Sequence, residues 1–278
     1  MEKYELLPQQ LLYEGTMEKS NFFEPKALSE EEIIKTHDAN YWQKLKTLQL
    51  NKTEERKTGF PLSAQLVERE ITIAGGSLQA AKYALNDGVA FNIAGGTHHA
   101  FTSRGEGFCL LNDIAISANH LLNSKLIQQI LVVDLDVHQG NGTAEIFNKN
   151  KKVFTFSMHG VNNYPFKKEK SDLDIALPDG TEDSLYLRLL RSNLEILLDE
   201  VEPDFVFFQA GVDVLKTDKL GKLSLSIEAC KSRDSIVFQA CLNDNIPVMV
   251  SMGGGYSPKI SNIVEAHANT YRVAKQLY

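Results

Sequence analysis

Residues 130–143 read ILVVDLDVHQGNGT, an unbroken apolar run that ends in Asp134, Asp136 and His138 at alternate positions. A short apolar run without polar alternation fits a strand buried on both faces, as in a parallel sheet covered by helices. Side chains two apart on a strand share a face. The spacing therefore predicts two carboxylates and one imidazole aimed at a single place, and it raises the question of what they hold there.

The same grammar recurs along the chain. Residues 89–94 (VAFNIA), 153–158 (VFTFSM), 205–209 (FVFFQ) and 246–251 (IPVMVS) are further short apolar runs. Amphipathic spacing predicts helices over about residues 183–200, 226–243 and 263–276. Nearer the start, Ser29 and three following glutamates predict a capped helix running to about residue 46. Residues 47–59 are charged and read as loop. Residues 62–85 carry helical spacing that Gly75-Gly76 should interrupt. Strands alternating with helices imply a parallel sheet covered on both faces, a three-layer α/β fold. No repeat and no linker divides the 278 residues, so residues 1–278 read as one domain.

Bulk properties narrow the function classes. The chain is 43% hydrophobic and 23% charged, with a net charge of −7 and no long basic block. That argues against a nucleic-acid binder, which needs a basic stripe, and leaves cationic small molecules or lysine-bearing peptides as substrates. Cys109, Cys230 and Cys241 are few and far apart, which suggests a reducing compartment. The start MEKYELLPQQLLYEG carries no apolar leader, and no apolar run approaches the ~20 residues that span a bilayer. The sequence reads as a soluble, cytoplasmic protein without a membrane or nucleic-acid partner.

In open α/β sheets, ligands bind outside the carboxyl ends of the strands. Here those ends deliver His98 and His99 after Gly95-Gly96, then His138, Met158-His159, Asp213, and Tyr256 after three glycines. Asp136, His138 and Asp213 offer two carboxylates and an imidazole. Three protein ligands with an open fourth position are the pattern of a catalytic zinc site, although oxygen-rich ligation also suits ferrous iron. Asp134 is placed to orient one of the tandem histidines. The phenol of Tyr256 can donate to an oxyanion. His37, His120 and His267 read as structural. Together the parts predict metal-assisted amide hydrolysis without a protein nucleophile.

Four motifs carry a resemblance: GGTHHAFTSRGEGFCLLND (95–113), DLDVHQGNGT (134–143), AGVDVL (210–215) and MGGGY (252–256). In this order and at these separations they resemble the zinc-dependent histone deacetylase family, over a match that runs from about Pro61 to the end of the chain. LPDGTEDSLYL (177–187), DKLGKLSLS (218–226) and KYELLPQQLLYEGT (3–16) look most like its class IV branch and bacterial relatives. The resemblance implies an arginase-like α/β domain with an eight-stranded, mainly parallel sheet.

It also implies residue roles. Asp136, His138 and Asp213 match the zinc ligands, His98 and His99 the tandem catalytic histidines, and Tyr256 the catalytic tyrosine. Asp134 and Asn141 match the partners of the two histidines. Gly107, Phe108, Phe166, Leu220 and Gly254 fall on the substrate tunnel. A potassium ion is implied at Asp134, Ser157 and Met158 with the backbone of Asp136 and His138, and a second monovalent site at Phe147 and Val153. The substrate class implied is an acylated lysine, with acyl length open between acetyl and longer chains.

Two features depart from the family. Asn141 replaces the aspartate of class I members, and an amide stabilises an imidazolium less than a carboxylate does. Relatives also carry a stretch ahead of KYELLPQQ that supplies a first strand and a loop with an arginine near the product channel, so either the start is truncated or the sheet lacks an edge element and the channel its arginine. Small acetylated amines such as acetylpolyamines are the alternative substrates, and an inactive acyl-lysine binder is the alternative outside catalysis. A binuclear arginase-like site is disfavoured, because Gln139, Gly140 and Asn141 add no bridging carboxylate.

Overall fold

A computed structural model describes residues 2–278. Six strands form one all-parallel sheet: β1 (Val89–Asn92), β2 (Ile130–Asp134), β3 (Val153–Gly160), β4 (Leu173–Leu177), β5 (Phe205–Gln209) and β6 (Val248–Ser251), in the order β1-β6-β5-β2-β3-β4. Alternation along the buried strands sorts their side chains into two cores. Ile130, Val132, Phe205, Phe207 and Met249 face one way, onto helices α5 (Ala64–Asp87) and α6 (Asp113–Asn123). Leu131, Val133, Val206, Phe208 and Val250 face the other way, onto α8 (Asp183–Val201), α9 (Ile227–Asn243) and α10 (Ile260–Leu277). The result is the expected single-domain, three-layer α/β fold.

The sheet has six strands among the described residues rather than eight. Everything described ahead of β1 is helical or irregular: α1 (Lys3–Tyr13), α2 (Glu30–Ile34), α3 (Ala39–Lys46), α4 (Lys52–Thr58) and α5 precede it. Helix α1 instead packs Leu7 and Leu11 against Val264, Ala268 and Tyr271 of α10. One further parallel pairing, Leu215 with Leu225, stops at a single bridge. There the chain turns at Asp218, whose carboxylate accepts hydrogen bonds from Leu220 N (2.8 Å) and Gly221 N (2.9 Å) before a ladder can grow.

Local chemistry corrects three other expectations. The helix expected from Ser29 to residue 46 is two helices. Ser29 caps α2, and Asp38 starts α3 afresh by accepting from Asn40 N and Tyr41 N. The expected loop at 47–59 holds α4, capped reciprocally by Asn51 and Glu54 and ended at Gly59, φ 79°. Helix α5 runs unbroken through Gly75-Gly76. These glycines make room for a crossing segment: a Cβ on Gly75 would lie 1.8 Å from Lys26 O.

Helix α7 (Asn141–Phe147) follows directly on the 134–140 loop. No helix of the described residues is long and apolar enough to cross a membrane.

Candidate functional site

Strand β2 ends at Asp134, so Asp136 and His138 lie beyond the sheet and their convergence is not strand alternation. It comes from side chains bonding the backbone two residues on. Asp134 Oδ1 accepts from Asp136 N (3.2 Å), and Asp136 Oδ1 accepts from His138 N (3.0 Å). Such bonds hold Asp-rich loops in tight turns. From the loop after β5, Asp213 Oδ1 accepts from Val137 N (2.9 Å), and from the loop after β6, Gly254 N donates to Asp136 Oδ2 (2.9 Å). A Cβ on Gly254 would stand 1.9 Å from Asp213 Oδ2, so only glycine brings that backbone onto the two carboxylates.

The product is a three-residue knot. His138 Nδ1 lies 3.0 Å from Asp136 Oδ1 and 3.1 Å from Asp213 Oδ2, and one donor atom from each of the three lies within 4.8 Å of the others. Asp136 and Asp213 are fully buried. Burial, reinforced by the Asp136 charge, pushes Asp213 up to about 7. Burial opposes the charged form of His138, but its bonds to both carboxylates win and hold it up at about 10. Two buried carboxylates facing one imidazole call for positive charge among them. This donor set, one nitrogen and two carboxylate oxygens whose combined charge of −2 balances a divalent cation, fits such a metal.

The tandem histidines sit beside this knot, their rings 4.1 Å apart. His98 Nδ1 meets Asp134 Oδ2 at 2.7 Å, and His99 Nδ1 meets Asn141 Oδ1 at 2.6 Å. Both Nδ1 atoms are thus committed, which leaves each Nε2 for chemistry. Burial disfavours an imidazolium on both, but the Asp134 carboxylate outweighs it for His98, held at about 9. His99, facing an amide, is kept well below its usual range by burial and by the charges of His98 and His138. Tyr256 N donates to Asp218 Oδ2 (2.6 Å), and burial with the nearby Asp213 and Asp136 charges keeps the phenol protonated.

These groups line a cavity of about 490 Å³. Gly107 and Phe108 form one wall, with φ of 54° and 69°, pinned by Gly107 N to Lys57 O and Phe108 N to Thr58 O. A Cβ on Gly107 would press to 2.7 Å from the His99 ring. Across from them the ring nearest His99 is Tyr164, edge-on at 5.0 Å, its hydroxyl 3.1 Å from Glu106. Phe166 also lines the cavity but stands at its mouth, 91% exposed, as does Leu220. Ser157 pairs with Asp134 across β2 and β3, and its hydroxyl meets His159 Nδ1 at 2.9 Å. Met158 beside it is buried, as are Phe147 and Val153.

Of the histidines read as structural, His37 bridges Phe101 O and Asn112 N (both 2.9 Å) and His120 meets Glu32 (2.8 Å). His267 is buried behind Gly255.

Sequence reasoning missed four residues here. Tyr164 carried a weak signal, an aromatic before a proline on a strand-end loop. Asp113 anchors the 95–97 turn, accepting from Gly96 N (3.0 Å), Thr97 N (2.8 Å) and Thr97 Oγ1 (2.7 Å) as well as from the Ser77 hydroxyl. Tyr4 of α1 also lines the cavity. Lys3 Nζ donates to Gly253 O (2.9 Å) and lies 5.7 Å from the centre of the Tyr256 ring. A cation from α1 therefore stands behind the tyrosine loop. Nothing in the local sequence around Lys3 points there.

Comparison with known proteins agrees with this geometry. The histone deacetylase domain model matches residues 1–271. An uncharacterized protein of Picosynechococcus is 42% identical over all of this chain and 93% of its own length. Histone deacetylase 2 of Arabidopsis thaliana is 31% identical over 91% of this chain and 68% of its own. Among solved structures, an HDAC homologue complexed with SAHA superposes with a TM-score of 0.84 at 26% identity, covering 98% of this chain and 77% of that one. An HDAC homologue from Aquifex aeolicus gives 0.83 at 27% identity, covering 96% and 76%.

Proposed function

Because this chain belongs to the histone deacetylase family, we propose that residues 1–278 act as one catalytic unit that removes acyl groups, acetyl or longer, from the ε-amine of lysine. The observation that carries this reading is the convergence of the His138, Asp136 and Asp213 donors with His98, His99 and Tyr256 at the base of one apolar-walled cavity. Asp136, His138 and Asp213 would hold a zinc ion, with ferrous iron the alternative. Bound there, such an ion polarises an amide carbonyl and acidifies a water.

The chain's own groups supply the rest. His99, whose Nδ1–H is taken by Asn141, presents a neutral Nε2 that accepts the proton of the attacking water and then delivers it to the leaving amine. His98, paired with Asp134, holds positive charge beside the reacting carbonyl. The Tyr256 hydroxyl donates to the carbonyl oxygen as it becomes anionic. Gly107, Phe108 and Tyr164 grip the lysine methylenes and exclude water, while Phe166, Leu220 and the Gly254 backbone complete the tunnel. A potassium ion at Asp134, Ser157 and Met158, with the backbone of Asp136 and His138, would stiffen the loop below.

Zinc-loaded protein should hydrolyse one peptide bearing acetyl-lysine or myristoyl-lysine, and the ratio of the two rates assigns the acyl preference. Tyr256→Phe should cut kcat by about 100-fold or more, the usual cost of one oxyanion donor. Turnover that survives Tyr256→Phe, or that is absent from both peptides with metal bound, would overturn the reading.

A further inference from the structure

The cavity's mouth has a charge opposite to that of the molecule. The whole chain carries −7, yet the charged side chains lining the cavity outside the Asp136, His138 and Asp213 knot and the tandem histidines are Arg56, Lys57 and Lys222, all basic. They stand on both sides of the opening. Arg56 and Lys57 lie in the last turn of α4, whose carbonyls hold the Gly107-Phe108 wall. Lys222 lies on the facing loop beyond Leu220, tied to Asn163 through Lys222 N to Asn163 Oδ1 (3.3 Å).

The loops framing that side repeat the pattern. Residues 161–170 (VNNYPFKKEK) carry three lysines against one glutamate, and residues 216–222 (KTDKLGK) three lysines against one aspartate, so each is net +2. Nearby carboxylates are turned inward. Asp218 spends its oxygens on the backbone N–H groups of Tyr256, Leu220 and Gly221. Glu106 is engaged by Arg104 (2.9 Å) and the Tyr164 hydroxyl (3.1 Å), with Lys57 3.9 Å away. Lys222 has one loose partner, Asp179 at 3.9 Å. Arg56, Lys167, Lys216 and Lys219 are exposed and have no ion-pair partner among the described residues.

We infer that this basic collar selects acylated lysines set in acidic segments and disfavours cationic amines. The inference rests on the proposed deacylase reading and names the substrate class for it. A rim charge meets a substrate's flanking residues while the acyl-lysine occupies the tunnel, so like charges are penalised and opposite charges favoured. Acetylpolyamines, whose free ammonium groups would lie against Arg56, Lys57 and Lys222, fall on the penalised side. The net charge alone pointed to cationic substrates, and the local field reverses that expectation.

The test uses three peptides with one acyl-lysine each, flanked by Glu, Gln or Lys, at low salt and at 0.5 M salt. The expected order of kcat/KM is Glu over Gln over Lys, with roughly tenfold between the extremes at low salt and a collapse at high salt, where the screening length is only a few ångströms. Arg56→Gln combined with Lys216→Gln and Lys222→Gln, all exposed changes, should bring the extremes within about twofold of each other. Lysine-flanked peptides turned over as well as acidic ones, or an acidic preference that survives the triple variant, would overturn the inference. Fluorescence anisotropy of the same peptides reads the collar without chemistry. Preferential, salt-sensitive binding of the acidic peptide without turnover would sustain the collar and reject the deacylase.

Discussion

Two buried charge clusters lie on either side of the same two loops, and they are built in opposite ways. On the sheet's far side, Arg233 of α9 is wholly buried and saturated. Its guanidinium pairs with Asp234 (2.7 Å) and donates to the carbonyls of Leu135, Ala210 and Gly211, while Asp234 accepts from Thr270 Oγ1 (2.7 Å). Those carbonyls belong to the loops that carry Asp136 and Asp213. On the cavity side, Asp136, His138 and Asp213 are buried but hold an excess of acceptors over donors. A buried charge whose every neighbour is satisfied braces a loop, and one left short of positive charge is a place for a ligand.

The largest effect expected from this contrast is on stability. Arg233→Met would leave Asp234 buried without its cation and three carbonyls without a donor, at a cost of about 3–5 kcal/mol. The urea midpoint measures it, and a midpoint within experimental error of the parent would mean that the pair braces nothing. The second prediction concerns the other cluster. Zinc in several-hundred-fold excess over its Kd should raise stability by about 3 kcal/mol. Asp213→Asn should abolish that gain, yet leave the metal-free chain no less stable than the parent, because it relieves a like-charge pair. If Asp213→Asn instead destabilised the metal-free chain as Arg233→Met does, the distinction between the two clusters would fail.

The contrast also explains what was legible in the sequence. Asp136, His138, Asp213, His98, His99 and Tyr256 all follow apolar strands, so polarity changes abruptly where the site begins. Arg233 and Asp234 lie inside the period of an amphipathic helix, where a charged residue normally reads as solvent-facing, and only the fold turns them inward. Asp113 hid inside a motif for the same reason, since its partners are 16 to 36 residues away. The sheet's parallel sense and its covering layers followed from the strand–helix alternation. Its width did not: the apolar runs show five of the six strands, because the edge strand Leu173–Leu177, half exposed, lacks the solid apolar run of the interior ones, and the eight implied by the resemblance are not reached. The α2–α3 break and α4 turn on single capping side chains, which a hydrophobic pattern does not register.

A third buried polar group, His37, sharpens the comparison because it must stay neutral. Its ring donates to Phe101 O and accepts from Asn112 N, so an added proton would set N–H against N–H. Burial, only partly offset by the bond to Phe101, lowers it to about 4. The unfolded chain therefore binds the extra proton. Its contribution to stability is complete above the unfolded value near 6.5 and shrinks as pH falls toward 4, by about 2 kcal/mol at pH 5. Urea midpoints at pH 7 and pH 5 should show this loss, and His37→Gln should make the acid slope shallower by one proton. An unchanged slope would assign the acid sensitivity to other groups.

The smallest effect is expected at Lys3, where a single cation touches the open cluster from outside. Burial lowers its pKa against the opposing pull of Asp213, Asp136 and Asp218. Its ammonium is nevertheless held by Gly253 O and lies against the rings of Tyr4 and Tyr256, at 5.2 and 5.7 Å from their centres. Lys3→Met keeps the length and apolar stem of the side chain while removing the donor, so stability should drop by only about 1 kcal/mol. The tyrosine loop should lose its tether, and kcat should fall several-fold with KM little changed, because the tether acts on the proposed oxyanion donor. Lys3→Arg, which retains a donor, should recover most of that loss. A KM effect without a kcat effect would instead make Lys3 part of the substrate pocket, and equal activity in Lys3→Met would mean that α1 closes the site by packing alone.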